Sequence, residues 1–204
     1  EFMPAIDGSR THSTLMSFIG VARYTYGSKY SFIGSYRRDG STKVSKNNRW
    51  HGFYSLGANW NVKEEAFLKD NSFIYGLNLR ASHGTTASPF REDFLYMGAY
   101  VVEGSYNGQP AISPYRPENT DFNWEYVQET NIGFDLSLFA SNRLRLTMDY
   151  YNKVTNNMFI DQPPSFTSGY DLLSLSTGKM RNRGVEMMLH GDVVKKEDLQ
   201  VSLG

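Results

Sequence analysis

Polar and apolar residues alternate along most of the chain, and a period of two is typical of β-strands with two different faces. In residues 143–155, for example, Leu144, Leu146, Met148 and Tyr150 alternate with arginine, threonine and aspartate. The same alternation predicts seven strands and the beginning of an eighth, at residues 14–26, 30–38, 50–62, 73–83, 126–139, 143–155, from about 183 and from about 199. The sequence therefore predicts an all-β protein.

The lengths of the strands and of their connections favour a membrane barrel. Several strands reach the roughly 9 to 11 residues that cross a bilayer, whereas strands in soluble sheets usually have about 5 or 6. Short or medium connections (27–29, 63–72, 140–142 and 194–198) alternate with longer ones (39–49, 84–125 and 156–182), as in barrels with short turns at one membrane surface and long loops at the other. We predict an antiparallel up-and-down transmembrane β-barrel.

The composition agrees with this fold and excludes several functions. Aromatic residues make up 15% of the 204 residues, and the mean hydropathy is −0.49, which suits sheets with one apolar and one wet face. The 21 basic and 21 acidic residues balance to zero, so we predict no nucleic-acid partner, because phosphate binding normally requires a basic surplus.

Candidate chemistry is sparse. Cysteine is absent, which excludes disulfides and thiol nucleophiles. The four histidines show no metal-ligand spacing, and no nucleophile motif occurs. We therefore predict no metal site, no cofactor and no catalytic residues, and the protein is not expected to be an enzyme.

Charged residues in the middle of predicted strands define a candidate inner surface. On a lipid-facing surface a basic side chain would cost about 2–4 kcal/mol near the bilayer midplane, so these side chains are predicted to face the lumen. We interpret them mainly as ladders of ion pairs and hydrogen bonds, with direct substrate contact as the alternative. The predicted lumen-facing charges are Arg80, Glu129, Asp135, Arg145, Asp149 and Glu186.

Aromatic residues fall into two groups. Those at strand ends suit the girdles of amphipathic rings found at membrane surfaces. Those in the long loops are candidates for substrate binding, because an aromatic ring can stack on the apolar face of a sugar. The candidate substrate-binding residues are Tyr96, Tyr100, Tyr106, Tyr115 and Phe166.

Several short motifs, in one order and at compatible spacings, resemble the SusC/RagA family of TonB-dependent outer-membrane transporters. The stretch from Arg38 to Trp60 resembles the family's R-x-D-G-S, N-R-W and G-W elements. Residues 129–135, 149–155 and 182–186 are similar to its E-x-x-N-x-G-x-D, D-Y-Y-x-K-x-T and N-x-G-x-E strands. The positions that carry the resemblance are Arg38, Asp39, Gly40, Asn48, Arg49, Trp50, Trp60, Asn131, Gly133, Asp149, Tyr150, Gly184 and Glu186.

The resemblance implies that residues 1–204 are seven or eight strands of a larger barrel of about 22 strands, with neither a plug domain nor the C-terminal strand. It implies import of glycan oligomers or peptides across the outer membrane of a Gram-negative, Bacteroidetes-like bacterium. The implied partners are a SusD-like surface lipoprotein, the TonB complex acting through a plug, the rest of the barrel and the lipid membrane.

Two other functions remain open at this point. A self-contained small porin or adhesin barrel would have the same alternation but would need a strand that closes it. A soluble all-β carbohydrate-binding domain would instead bury the aromatic faces in a core shared by two sheets.

Overall fold

A computed structural model describes residues 10–88, 93–139, 143–196 and 199–203. These residues form two antiparallel sheets: a large one with the strand order β1-β2-β3-β4-β7-β8-β9-β10 and a separate hairpin, β5-β6. The strands are β1 Leu15–Tyr26, β2 Tyr30–Ser41, β3 Trp50–Asn61, β4 Ile74–Ala87, β5 Ala99–Tyr106, β6 Gln109–Arg116, β7 Tyr126–Leu138, β8 Leu144–Gln162, β9 Leu173–Lys196 and β10 Leu199–Leu203. The predicted all-β, antiparallel architecture is confirmed.

The structure differs from the sequence prediction in the long connections. The strands β8 and β9 extend well beyond the predicted bilayer-crossing segments, and the segment 84–125 contains the β5-β6 hairpin. The alternation did not indicate this hairpin because Pro110 and Pro114 interrupt β6, and proline is unusual within a strand. Much of the predicted connections 84–125 and 156–182 is therefore β-structure.

The connections divide the sheet into two ends. Residues 42–49, 93–125 and 163–172 lie at what we call the long-loop end, and residues 27–29 and 62–73 lie at the short-turn end. The tight turn between β1 and β2 has positive φ at Gly27 and Ser28, the geometry of the hairpin turns that match strand twist. The β5-β6 hairpin and the β8-β9 connection therefore share one end of the sheet.

The register aligns the apolar positions of neighbouring strands into one continuous surface, which we call the apolar face. In one row Ala81 pairs with Ile132, Ile132 with Tyr150, and Tyr150 with Val185. Further members of this face include Tyr24, Phe32, Leu56, Leu79, Phe134, Leu136, Leu146, Met148, Met187 and Leu189. The alternate positions form the opposite surface, which we call the polar face.

The apolar band runs obliquely across the strands. Its edge towards the long-loop end lies at Val185 on β9 and at Trp50 on β3, which shares a row with Met16 on β1. Along the strands this edge moves by about 27 Å while it crosses about 29 Å of sheet, using the usual residue and strand spacings. Such a slope agrees with the roughly 35–45° tilt of strands in membrane barrels.

The cluster of buried apolar side chains in the described residues lies at the long-loop end. Val44, Phe53, Phe122 and Trp124 form one cluster there, and each is at most 2% exposed. Along the rest of the sheet no second layer covers the apolar face in the described ranges, and Phe32, Ile132 and Met187 are 51%, 56% and 70% exposed. Among the described residues no helix has the length and apolar character needed to span a membrane.

Candidate functional site

The polar face carries an ion-pair network that links three strands. The guanidinium of Arg80 on β4 lies 2.9 Å from Asp135 Oδ2 on β7 and 3.0 Å from Asp149 Oδ2 on β8. The hydroxyl of Thr147 donates a hydrogen bond of 2.9 Å to Asp135. One arginine therefore joins two carboxylates on different strands, and three of the six predicted lumen-facing charges form a single cluster.

Gly133 makes this bridge across β7 possible. In the register Gly133 lies between Arg80 and Asp149. A Cβ atom at position 133 would lie 2.8 Å from Asp149 Cγ and 2.9 Å from the Met148 carbonyl oxygen, closer than such atoms approach. The absence of a side chain on β7 leaves the space in which the Asp149 carboxylate meets Arg80.

The other three predicted charges also lie on the polar face but do not join the network. Glu186 is the register partner of Asp149, Glu129 is opposite Lys153, and Arg145 is opposite His190. None of the three forms an ion pair within the part of the chain that the structure describes. Arg80 and Glu129 line one concave stretch of this face with a volume of about 570 Å³.

The polar face also has apolar residues that the sequence analysis did not single out. Ile19 and Val21 on β1 are 70% and 62% exposed, and Ile33 on β2 is 39% exposed. They occupy positions alternate to the aromatic residues of the same strands. The sequence of β1 could have indicated these apolar residues. It is almost continuously apolar, whereas a strand with one wet face should alternate more strictly between apolar and polar residues.

At the long-loop end, two connections are joined around the buried core. Ser45 donates to the Phe122 carbonyl oxygen at 2.9 Å, and Asn48 donates to the Asp121 carbonyl oxygen at 3.1 Å. The indole of Trp124 donates to the Asn48 carbonyl oxygen at 3.0 Å. Segments 42–49 and 117–125 therefore form one unit rather than two independent loops.

A further ion pair attaches the beginning of the segment 93–98 to this unit. Lys43 Nζ lies 2.8 Å from Asp93 Oδ1. The hydrogen bond from Lys43, assisted by those from Thr11 and Ser13, holds the pKa of Asp93 below its usual range. Asp93 is therefore ionised at neutral pH, as this contact requires.

The loops enclose a cleft of about 700 Å³. It is lined by aromatic, charged and amide side chains, a combination suited to a polar oligomer with some apolar surface. The side chains that define its character are Lys46, Asn47, Tyr96, Tyr100, Arg116, Glu118 and Tyr170. This mixed lining makes the cleft a candidate binding site at the long-loop end.

The five predicted loop aromatics are only partly brought together. Tyr96 and Tyr100 line the cleft. Tyr115 lies on β6, where its carbonyl oxygen accepts hydrogen bonds from the backbone of Asp171 and Leu172. Tyr106, near the β5-β6 turn, is 82% exposed, and Phe166 is fully exposed in the β8-β9 connection. Lys46, Arg116, Glu118 and Tyr170 were not predicted, because only the folding of three distant segments places them beside the two tyrosines.

At the short-turn end, Glu65 connects the 62–73 segment to two strands. Its carboxylate accepts hydrogen bonds from Tyr30 and from the Trp60 indole, at 3.2 Å for the latter, and pairs with Lys29 Nζ at 3.0 Å. The hydrogen bond from Tyr30, followed by that from Lys29, holds the pKa of Glu65 below its ordinary value. This carboxylate fixes the turn to the ends of β2 and β3.

The motif positions on β2 and β3 prove to be packing partners at the edge of the apolar face. The Arg38 guanidinium lies 5.8 Å from the centre of the Trp50 ring, and Phe18 stacks on the same ring at 6.1 Å. A Cβ atom at Gly40 would lie 2.8 Å from that ring.

The remaining motif residues are distributed over both faces: Tyr150 belongs to the apolar face, whereas Asp39, Asn131, Gly184 and Glu186 belong to the polar face. Arg49, which precedes β3, accepts a hydrogen bond from the Ser41 amide through its carbonyl oxygen.

Sequence comparisons place the chain among TonB-dependent receptors. The sequence pattern of the family described as "TonB dependent receptor-like, beta-barrel" matches residues 4–204. TonB-dependent receptor P39 of Formosa agariphila is 34% identical over 187 residues, which cover 92% of this chain and 18% of the relative. TonB-dependent receptor SusC of Bacteroides thetaiotaomicron is 32% identical over 196 residues, covering 92% and 19%. The chain spans about a fifth of the length of these relatives.

Solved structures show the same fold. The RagAB peptide importer in its open-open state superimposes with a TM-score of 0.82 and 27% identity, over 93% of this chain and 21% of that chain. The siderophore receptor PirA of Pseudomonas aeruginosa, at 13% identity, has a TM-score of 0.57 over 93% of this chain and 33% of its own. The second likeness shows the fold alone.

Proposed function

The chain belongs to the TonB dependent receptor-like β-barrel family, and from this premise we propose that it forms part of the barrel wall of a transporter that imports glycan or peptide oligomers. TonB-dependent receptors are transporters and not enzymes. The single observation that carries the proposal is the apolar face, which continues from β1 to β9 without interruption.

The exposure of this face supports a location in the outer membrane. Tyr24, Leu56, Val185 and Met187 are 61%, 58%, 57% and 70% exposed, and a contiguous apolar surface of this extent is unusual on a soluble protein. Hydrocarbon chains remove the cost of this exposure. The long-loop end then corresponds to the extracellular side, because outer-membrane barrels have short periplasmic turns and longer extracellular loops.

The open sheet supports closure by further strands. The strand β1 pairs on one side only, and β10 covers only residues 191–196 of β9 among the described residues. An unpaired strand edge within lipid leaves backbone groups unsatisfied at several kcal/mol each. We therefore take residues 1–204 as one portion of the barrel domain, with the rest of the barrel as its closest partner.

The polar face becomes the lumen wall in such a barrel. The predicted charges Arg80, Glu129, Asp135, Arg145, Asp149 and Glu186 would then face water and a plug domain through which the TonB complex acts. The Arg80 network ties three strands together, which favours a structural role for it, while Glu129 and Glu186 remain available for contacts within the lumen.

The loop cleft is the proposed entrance site for substrate. Its tyrosines suit stacking on sugar rings, and Arg116 and Glu118 suit the charged ends or side chains of peptides. The SusC/RagA resemblance implies glycan oligomers or peptides, and one related structure is a peptide importer, so both substrate classes stay within the proposal. A SusD-like lipoprotein is the proposed partner at the long-loop end. There the β5-β6 hairpin exposes Tyr100, Val102 and Ile112, which are 72%, 71% and 69% exposed.

Adjacent methionines on β9 provide the test of the membrane assignment. Met187 on the apolar face and Met188 on the polar face are 70% and 65% exposed, so burial within the chain does not distinguish them. Met187→Arg should destabilise the inserted barrel by about 2–4 kcal/mol, because an arginine would face hydrocarbon. Met188→Arg should cost much less, because the new charge would face the watery lumen.

The measurement is the unfolding free energy of the protein in phospholipid vesicles, determined in urea for wild type and both variants. A larger loss for Met188→Arg than for Met187→Arg would reverse the two faces. Equal, small losses for both variants would show that neither side chain contacts hydrocarbon, and the proposal would fail.

A further inference from the structure

Residues 62–73, which connect β3 to β4, form a folded element at the short-turn end. The Glu65 carbonyl oxygen accepts hydrogen bonds from the Leu68 and Lys69 amides at 3.0 and 2.9 Å, as in one turn of a helix. The side chain of Lys63 closes this turn by donating to the Leu68 carbonyl oxygen at 3.0 Å. The connection therefore folds as a compact unit, which we call the β3-β4 turn.

The β3-β4 turn is attached on the side of the apolar face. The Glu65 carboxylate accepts hydrogen bonds from the Tyr30 hydroxyl and from the Trp60 indole. Tyr30 and Trp60 pair in the register and line one depression together with Phe134 and Met148 of the apolar face. In a closed barrel, the turn would therefore meet the lipid-facing edge of the wall and not the lumen.

The charge that makes this attachment is fully paired. Besides its two aromatic donors, the Glu65 carboxylate has Lys29 Nζ at 3.0 Å. An unpaired carboxylate beside hydrocarbon would be costly, whereas a paired and hydrogen-bonded one is tolerated. The β3-β4 turn can therefore lie against a membrane surface without leaving a charge unsatisfied.

Phe67 is an exposed aromatic side chain of this turn. It lies two residues after Glu65 and is 70% exposed. The strands that the turn connects are inner strands of the sheet, since β3 also pairs with β2, and β4 also pairs with β7. Further strands of a closed barrel would join at the sheet edges, and a plug would occupy the opposite face. Neither would cover a side chain on the lipid-facing side of this turn.

We propose that the β3-β4 turn lies on the periplasmic leaflet of the outer membrane and that Phe67 inserts between its phospholipids. The inference rests on the proposed function, which sets the apolar face in lipid and the short-turn end in the periplasm. Continuity with the apolar face identifies the occupant, because the lipid that covers Tyr30 and Trp60 also borders the turn. Aromatic rings are favoured at this level, and apolar side chains of interfacial segments enter the boundary between headgroups and acyl chains.

Spin labelling of the full transporter in vesicles of phosphatidylethanolamine and phosphatidylglycerol tests the position of Phe67. This chain contains no cysteine, so Phe67→Cys supplies a single labelling site in it, and the unsubstituted transporter measures labelling elsewhere. The readout is the accessibility of the nitroxide to oxygen, which concentrates in lipid, divided by its accessibility to a water-soluble nickel chelate. Because these vesicles contain no other protein, protection from the chelate combined with access to oxygen identifies lipid.

Asp70→Cys with the same label is the matched control, because Asp70 is an exposed polar residue of the same turn. We expect the accessibility ratio at position 67 to be about threefold higher than at position 70, as for a side chain that enters the interfacial region. Adding Glu65→Gln to Phe67→Cys should lower the ratio, because it weakens the attachment to Tyr30 and Trp60.

Three results would overturn the proposal. Equal low ratios at positions 67 and 70 would place the Phe67 side chain in water. Equal high ratios would show that the label itself draws the turn into the membrane. A label at position 67 that is shielded from both reagents would show contact with protein. A ratio that Glu65→Gln leaves unchanged would remove the attachment from the explanation.

Failure here is distinguishable from failure of the proposed function. The same label at Met187→Cys should report lipid, and at Met188→Cys it should report water. If both do so while position 67 reports water, the barrel assignment stands and only the membrane contact of the β3-β4 turn is rejected. If Met187→Cys reports water, the proposed function itself fails.

Discussion

At the residue scale, glycines on the polar face leave room for longer side chains on the neighbouring strands. Arg80 reaches Asp149 on the second strand away only because Gly133 leaves the intervening position empty. Gly184 acts similarly for Tyr151, whose hydroxyl would lie 2.8 Å from a Cβ atom at position 184. In both cases a motif glycine within a strand makes room for a longer side chain on the adjacent strand.

Gly133→Ala should therefore destabilise the sheet. The new methyl group would displace the Asp149 carboxylate and weaken its ion pair with Arg80, at a cost of about 1–3 kcal/mol, typical of inserting a group into a filled site. The unfolding free energy in vesicles measures this cost. Gly20→Ala is the matched control, because no atom lies within 4 Å of a Cβ there. Equal effects of the two substitutions would show that the Gly133 position has no special packing role.

At the element scale, each end of the sheet is organised by a different kind of contact. Segments 42–49 and 117–125 share a buried aromatic core at the long-loop end. At the short-turn end a carboxylate, Glu65, accepts hydrogen bonds from β2 and β3. The first end therefore depends on apolar burial, whereas the second depends on a charge and responds to pH.

Glu65→Gln should destabilise the short-turn end at neutral pH, because glutamine cannot form the ion pair with Lys29. The pKa of Glu65 is lowered in the folded protein. Its carboxylate therefore contributes stability above the ordinary glutamate pKa and loses that contribution as the pH falls through the lower folded value. The difference in thermal unfolding midpoint between variant and wild type should be present at neutral pH and vanish in acid.

Glu64→Gln provides the control for this pH dependence. Glu64 is adjacent in sequence but forms no ion pair among the described residues. A Glu65→Gln effect that is unchanged in acid, or one that Glu64→Gln reproduces, would contradict a specific role for the Glu65 carboxylate.

At the scale of the whole molecule, the two faces and two ends give each surface a separate environment. The apolar face suits lipid, the polar face suits a watery lumen, and the loops gather at the end where substrate would arrive. The oblique course of the apolar band relates these surfaces to the strand tilt of a membrane barrel. A wide sheet without a second layer is understandable only within such an assembly.

The substrate proposal is tested by uptake in cells that carry the full transporter. Tyr170→Ala combined with Glu118→Gln should reduce uptake of labelled oligosaccharide or peptide by about tenfold, because both side chains line the cleft and a few lost contacts of about 1 kcal/mol suffice. Tyr106→Ala, at the exposed β5-β6 turn, should leave uptake unchanged. The labelled compound whose uptake falls identifies the substrate class; unaltered uptake of both would exclude the cleft as the entrance site.

The alternation in the sequence determined the strands of the main sheet, their two faces and the grouping of the long loops at one end. These features are local, since a period of two fixes which side chains share a face regardless of what lies opposite. The resemblance of the spaced motifs determined the family, because their order and spacing survive even where single residues differ.

Only the tertiary structure decided which of these residues meet. The Arg80 network depends on the register of three strands, and the loop cleft depends on segments around residues 46, 96 and 170. The β5-β6 hairpin was likewise hidden, because its prolines break the alternation. Contacts between residues distant in sequence depend on register and loop closure, which strand periodicity does not encode.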